Sequence, residues 1–355
     1  MRLIRQYISS SVLKASAVVL LAVAALDLVT TVVDQADSMR GDYNFLAVLE
    51  YTLYLAPKKL VTAVPFAVLI GVLFGLGQLA STSELTVMRA SGISVRRLGW
   101  YAMRGALAVI ITGMLIAEYI ASPLELIAEA NRDLKRMPAE RVALEASDNG
   151  FWGKEGSEFF RVGTVLPSGK LYGIVRFEFE DDRLQRISYS EEAIYIRDEW
   201  LLQQTHVTHI GETETTTEVV DEMKWRSEMS PRVMQIVAAD EDNLSIRDLY
   251  YYANYLEDQS LDASAYKLAF WQKVLQPIAS ISLVFIAISF VFGPLRQVTM
   301  GFRIFTGIVA GIAFSTLQYI LGPVSLVFGL PAILAVSIPI MICLVIGLYL
   351  LRRAK

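Results

Sequence analysis

The chain has 355 residues, 54% of them hydrophobic and 19% charged, with a formal net charge of −4. One cysteine (Cys343, inside an apolar run) and two histidines (His206 and His209) exclude a disulfide framework or thiolate cluster and are too few for a convincing metal centre. Six apolar stretches, each long enough to cross a bilayer and split three and three by about 150 polar residues, exclude a soluble enzyme.

In chain order, Met1–Ser10 places Arg2 and Arg5 beside Leu3, Ile4, Tyr7 and Ile8, the pattern of a short amphipathic helix at the membrane interface. No cleavable signal pattern is read there, because the apolar run that follows is long enough to remain as a span. The first span is predicted from about Val12 to Val33, the second from Leu60 to Leu79 and the third from Leu98 to Ile120. A polar helical stretch, Glu125 to Arg136, continues the third span outward. From Phe151 to Trp225 the pattern turns to short alternating runs: Phe159–Val165, Leu171–Phe179, Ala193–Ile196 and Trp200–Ile210. Pro167-Ser168-Gly169 and Glu180-Asp181-Asp182 supply turns between them, and strands without intervening helices predict an all-β sandwich or jelly roll. Helical spacing returns over Ser245–Leu261. Three more spans follow, from about Val274 to Phe292, Phe302 to Leu321 and Leu330 to Leu351. The expected fold is therefore a membrane α-helical bundle of six transmembrane helices with an inserted all-β, jellyroll-like domain. Its parts are residues 1–124, 125–262 and 263–355.

Basic residues near the span ends set the topology. One side collects Arg2, Arg5 and Lys14, then Arg89, Arg96 and Arg97, then Arg296 and Arg303, then Arg352, Arg353 and Lys355. The other side has an acidic first loop (Asp34, Asp37, Asp42, Glu50) and an uncharged last loop, Gly322–Gly329. Both termini are thus expected in the cytoplasm and the β domain outside. Lys58 and Lys59, at the outer mouth of the second span, run against this trend.

No G-x-x-x-x-G-K-[ST], H-E-x-x-H or G-x-S-x-G motif occurs, so the chain is read as non-catalytic, with no catalytic residue, no metal and no cofactor. Gly71–Gly75 and Gly307–Gly311 form G-x-x-x-G, read as close helix packing. Between spans two and three, Ser81 and Glu84 form a capping-box pattern and Gly92 a natural stop, predicting a short helix over 81–92. Leu85, Val87 and Met88 give that helix an apolar side with no obvious place to bury. Two readings fit: a membrane-surface helix whose Glu84 serves its own cap, or a coupling helix set into a partner's groove, with Glu84 offered to an arginine. Lys58, Lys59, Arg132, Lys135 and Arg136 fall where spans two and three leave the membrane, where snorkelling is the default explanation. Asp27 is a carboxylate within span one whose partner the sequence does not name, and Glu118 reads as interfacial. His206 and His209, three apart on a strand, fall on opposite faces and argue against a shared metal.

The run Glu84-Leu85-Thr86-Val87-Met88-Arg89-Ala90-Ser91-Gly92 resembles the coupling-helix motif of the LptF/LptG permeases of lipopolysaccharide export. So does Phe292-Gly293-Pro294-Leu295-Arg296-Gln297-Val298-Thr299-Met300-Gly301, while Gly150-Phe151-Trp152-Gly153-Lys154-Glu155-Gly156 is similar to the LptG branch. The resemblance covers nearly the whole chain. It implies a half-transporter with six transmembrane helices and a periplasmic jellyroll in a Gram-negative inner membrane. The implied partners are an LptF-like sister permease, an LptB-like ATPase dimer that supplies the energy, an LptC-like single-span subunit and an LptA-like periplasmic bridge. Lipopolysaccharide and membrane lipid are the implied ligands; no nucleic-acid partner is expected. On this reading Glu84, Leu85, Val87, Met88 and Arg89 contact the ATPase, and Lys58, Lys59, Arg132, Lys135 and Arg136 form a basic collar for lipid A phosphates. Thr31 stands where the relatives compared carry a lysine, and Glu129 sets a carboxylate beside the collar, implying a weaker or differently arranged clamp. The rival from another class is a scaffold moved by a partner ATPase without lipid crossing its cavity.

Overall fold

The computed structural model describes residues 2–39, 42–136, 150–181, 183–211, 214–259, 261–293 and 298–353. Pro294 to Gln297, the centre of the second family-like motif, and Lys355 lie outside them. In chain order the elements are α1 (Arg2–Ala36), α2 (Phe45–Ser81), α3 (Glu84–Ala90), α4 (Val95–Ile116), a π-helical turn (Ala117–Ala121) and α5 (Ser122–Arg136). Then come β1 (Phe151–Glu155), β2 (Glu158–Val165), β3 (Leu171–Glu180), β4 (Arg183–Ile196), β5 (Glu199–Ile210) and β6 (Thr215–Trp225). The chain ends with α6 (Pro231–Ala238), α7 (Ile246–Asp258), α8 (Ser264–Phe292), α9 (Met300–Phe328) and α10 (Ala332–Arg353).

Six of the described helical segments are long and apolar enough to cross a membrane, and a six-stranded antiparallel sheet lies between the third and fourth in sequence. The helical bundle with an inserted β domain is therefore present. Several helices exceed their apolar runs, because once a helix is nucleated polar residues extend it at little cost. Arg2–Ser10 is the first part of α1 rather than a separate interfacial helix. Likewise α9 runs on to Phe328, so the expected loop from Gly322 shrinks to a stop at Gly329, which adopts φ +65°. The described residues group into two compact units.

The first unit comprises Met1–Thr31, Ala56–Ser122 and Ser245–Lys355. Its core is aliphatic, with Val68, Leu69, Val72, Leu73 and Leu76 of α2 against residues such as Leu98, Leu283 and Val284. Lipid tails are as apolar as leucine, so close approach rather than hydrophobicity holds membrane helices together, and small residues mark the contacts. A Cβ on Gly71 would lie 2.5 Å from the Ser16 Cα, and one on Gly105 would lie 2.5 Å from the Ser9 carbonyl oxygen. Both G-x-x-x-G pairs do this: Gly71 and Gly75 meet α1, whereas Gly307 and Gly311 meet Leu73, Leu69 and Phe66 of α2. Among the six segments α2 and α8 are the most enclosed, α1 and α9 the least.

The second unit comprises Val32–Leu55 and Pro123–Leu244. Its strand order, left open by the sequence, is sequential from β1 to β6, so the jellyroll-like domain is built as a meander in which each strand pairs with its sequence neighbours. Phe160, Val162, Leu171, Ile174, Ala193, Trp200, Leu202 and Trp225 form its buried core. Leu171 and Ile174, three apart, are both buried because Gly173 between them takes φ +66° and shifts the strand's phase. Gln204, at φ +47°, does the same between Leu202 and Thr205. Helix α6, which the alternation did not announce, starts at Ser230 with Pro231 in its first turn and buries Met234 in the sheet core.

Candidate functional site

Helix α3 differs from the sequence expectation in how it starts and what it buries. The Ser81–Glu84 capping box does not form: α2 continues to Ser81, whose hydroxyl donates to the Gln78 carbonyl at 2.8 Å. Ser83 takes the cap position at φ +63° without a side-chain bond, and the Thr82 hydroxyl donates to Glu84 Oε1 at 3.0 Å. Tyr7 of α1 also faces the Glu84 carboxylate. At the other end Gly92 adopts φ +87°, with its N–H on the Arg89 carbonyl and the Ile93 N–H reaching back to Met88, a Schellman stop.

The apolar side of α3 does have a place to bury. Leu85 is only 4% exposed and joins the bundle core, Met88 and Ile93 pack on the same cluster, and Val87 is left 67% exposed. The thin-loop picture failed because it took no account of the ends of α1, α2 and α4 around the turn. The five residues of the coupling motif thus divide. Leu85 and Met88 hold the helix to its own bundle, Val87 is uncovered, and Glu84 and Arg89 are half-buried.

The basic residues also divide, between the two units. In the second unit, Arg132 Nη1 donates to the Tyr51 hydroxyl at 3.0 Å, with its guanidinium 5.2 Å from that ring centroid, and its Nε donates to Asp133 at 3.4 Å. Lys135 Nζ donates to Glu50 at 2.5 Å. Arg136 stands 5.1 Å from the Tyr43 ring centroid and donates to the Ser38 carbonyl. Tyr43, Tyr51 and Ala128 are buried beneath them, so these cations sit over an aromatic floor. Glu129 accepts a bond from Asn243 at 2.8 Å. In the first unit, Lys59 Nζ lies 3.1 Å from Asp27 Oδ1, supplying the partner that the sequence did not name for that carboxylate. Lys58 is half-buried beside it in α2. Thr31 is buried, its hydroxyl donating to the Asp27 carbonyl at 2.8 Å. Glu118 accepts the Ile246 N–H at 3.0 Å and so caps α7, a role more specific than an interfacial carboxylate.

Sequence reasoning missed Tyr43 and Tyr51 and placed Glu50 in a loop; Glu50 and Tyr51 lie on α2, which outran its apolar run, and Tyr43 just precedes it. His206 and His209 lie on β5, and no group of three or more His, Cys, Asp or Glu able to hold a metal occurs among the described residues.

Among the described residues, six helices long and apolar enough to cross a membrane, an inserted β meander and a short helix keyed into the bundle define a multi-pass membrane protein. The family model for the lipopolysaccharide export system permease LptF/LptG matches residues 6–353. The chain is 33% identical over 355 residues to the LptG permease protein of Haemophilus influenzae, covering 99% of this chain and 98% of that protein. It is also 33% identical over 353 residues to LptG of Escherichia coli K12, covering 98% and 97%. The chain belongs to the LptF/LptG family of lipopolysaccharide export permeases, multi-pass proteins of the inner membrane.

Proposed function

We propose that this chain is the LptG-like half of an exporter that takes lipopolysaccharide from the outer leaflet of the inner membrane and delivers it to a periplasmic β-jellyroll bridge. Both termini and α3 face the cytoplasm, and the β domain lies in the periplasm. An LptF-like permease completes the cavity, and lipid enters laterally between span one of one permease and span five of the other. An LptB-like ATPase dimer drives the cycle, with an LptC-like subunit and an LptA-like bridge downstream. Lys58, Lys59, Arg132, Lys135 and Arg136 contact lipid A phosphates, arginine bidentately and lysine as a point charge.

The observation that carries this reading is the division of α3. A coupling element must be bound to the moving bundle on one side and open to its driver on the other; Leu85 is buried while Val87 is uncovered. Nucleotide-driven closure of the ATPase dimer then pushes through a helix that cannot slip. Glu84→Lys reverses the charge of the half-buried carboxylate at the start of α3 and is expected to abolish co-purification of the ATPase while the protein still inserts; unchanged co-purification refutes the coupling role. Neutralising Lys58 together with Arg132 is expected to reduce photo-crosslinking to lipopolysaccharide, and full retention would return both residues to interfacial snorkelling.

A further inference from the structure

Between Ser16 and Thr31, α1 buries few residues within the first unit, whereas past Thr31 Val32 packs on the cluster of Tyr43, Val48 and Tyr51. Beyond Ser16 the residues of α1 buried within the first unit are Ala24 and Thr31. Leu21, Leu26 and Val29 are each more than 60% exposed. A polar link there from α1 to α2 is the Asp27–Lys59 pair, at 3.1 Å. Both groups are partly open, the Lys59 side chain 24% exposed and that of Asp27 38%. The backbone around the pair is fixed independently: hydroxyls of Thr30 and Thr31 both take the Asp27 carbonyl, and the Thr62 hydroxyl donates to the carbonyls of Lys58 and Lys59.

An ammonium on a flexible stem has three donors and no fixed plane, so it exchanges one oxyanion for another with little loss of geometry. A carboxylate already at that ammonium opposes a second anion by like-charge repulsion. We propose that Asp27 is a positioning and selectivity residue for anionic lipid: it occupies Lys59 in the resting protein, and a lipid phosphate must displace it, which loosens the stretch of α1 around Asp27 from α2. Asp27 thus sets a threshold that a singly charged phospholipid passes less readily than a lipid bearing more phosphate charge. This inference rests on Lys59 being a phosphate contact, as proposed above.

The test uses the full permease complex in nanodiscs and fluorescent lipid A, in bis-phosphorylated and mono-phosphorylated forms, as the probe. Removing the competing carboxylate in Asp27→Asn is expected to tighten binding of the bis-phosphorylated probe by about two- to fivefold, the scale of a partly exposed ion pair. It is also expected to narrow the preference for the bis- over the mono-phosphorylated form. A residue that merely holds the helices together would weaken binding, or leave it alone, when removed. Unchanged or weaker binding by Asp27→Asn overturns the proposal, and Asp27→Ser takes its place should the asparagine variant fail to assemble. Lys59→Gln separates the two layers. If it lowers binding while Asp27→Asn changes nothing, Lys59 remains a phosphate contact and the threshold alone fails. If it leaves binding intact, the phosphate role of Lys59 fails and the threshold with it. In the double variant the gain is expected to vanish, since no ammonium remains to be freed.

Discussion

Replacing Leu85 by alanine removes the side chain that keys α3 into the bundle. The helix has seven residues, about two turns, and a helix that short has no stability of its own in water. Its position therefore depends on the Leu85 and Met88 contacts and on the Schellman stop that directs Ile93 into the same cluster. Leu85 is 4% exposed, so its truncation carries the usual cost of a core leucine, about 2–5 kcal/mol. That cost falls on local docking of α3 rather than on the whole bundle, raising the undocked population roughly thirtyfold to several-thousandfold. Glu84 and Val87 survive the substitution, so the ATPase is expected to bind still, while the stroke is absorbed by a loose helix. The assay is a reconstituted complex in proteoliposomes, measuring ATP hydrolysis, ATPase co-purification and lipopolysaccharide transfer. Leu85→Ala should keep hydrolysis and most co-purification but lose transfer per ATP. Val87→Ala, at a 67% exposed position, should weaken co-purification and leave the coupling ratio of the assembled fraction unchanged. Full transfer per ATP in Leu85→Ala, or identical phenotypes for the two variants, would refute the division of α3 into an anchored and an open side.

Gly71→Ala must push α1 away from α2, since the new Cβ would sit 2.2 Å from Ser16 Oγ; a loss of about 1–3 kcal/mol is expected as a lower melting temperature in detergent. Gly301→Ala, with nothing within 4 Å, is the matched control and should be neutral or slightly stabilising. Arg176 is buried, holds Glu158 and Glu178 and lies 5.4 Å from the Trp225 ring centroid; Arg176→Met should cost about 3 kcal/mol, read as faster hydrogen exchange across β2 and β3. The bond from Lys170 holds the Glu192 carboxyl below its ordinary value, so its stabilisation is complete above the ordinary carboxylate pKa of about 4.5 and fades as pH falls through the lower folded value. Burial pushes the Glu155 carboxyl the other way, so its charge is a burden at neutral pH that acid relieves. At pH 7 Glu192→Gln should therefore speed exchange in β3 and β4 and Glu155→Gln slow it in β1, with both differences shrinking at pH 3.5; equal effects at both pH values would remove the charge explanation.

Properties carried by a run of residues were legible in the sequence, and properties that depend on distant partners were not. The six spans follow from apolar length, and β2 to β5 from alternation bounded by turns, whereas β1 and β6 were not singled out. The Gly92 stop was legible because it needs only a residue that tolerates positive φ. The capping box failed at Ser81 for a local reason with a tertiary cause. The same four residues satisfied the pattern, but α2 remained helical to Ser81 and left Ser83 to begin the next helix. Leu85 looked unburied because its pocket is made by residues far away in sequence. Asp27 had no visible partner because Lys59 is 32 residues away and becomes its neighbour only when α1 and α2 pack. In the sheet, periodicity predicted the strands but not the phase shifts at Gly173 and Gln204, which depend on φ at single residues.

The uneven covering of the bundle bears on why such a chain acts as one half of a pair. Helices α2 and α8 are enclosed, whereas α1 and α9 present rows of uncovered apolar side chains, Val18, Leu21, Leu26 and Val29 on one and Phe305, Ile312, Tyr319 and Val327 on the other. Lipid solvates such rows as readily as protein does, so nothing in their chemistry commits them to one neighbour. Along α1 the two ends are held differently. The N-terminal part abuts glycines, Ser9 against Gly105 and Ser16 against Gly71, so closely that a Cβ on either glycine would meet the α1 backbone at 2.5 Å. The C-terminal part of this helix within the first unit has the Lys59 pair instead, an interaction whose strength depends on which anion is present. A helix fixed by steric contact near its start and, past Thr31, by Val32 on the Tyr43–Tyr51 cluster can still part from α2 at the charge pair between those anchors. In the exporter proposed above, that stretch borders the lateral entry. Substrate charge would then decide when the entry opens, and Asp27→Asn should leave it open in the absence of substrate, detectable as a longer spin-label distance between Val29 and Thr62. An unchanged distance would leave the steric contacts as the whole constraint on α1.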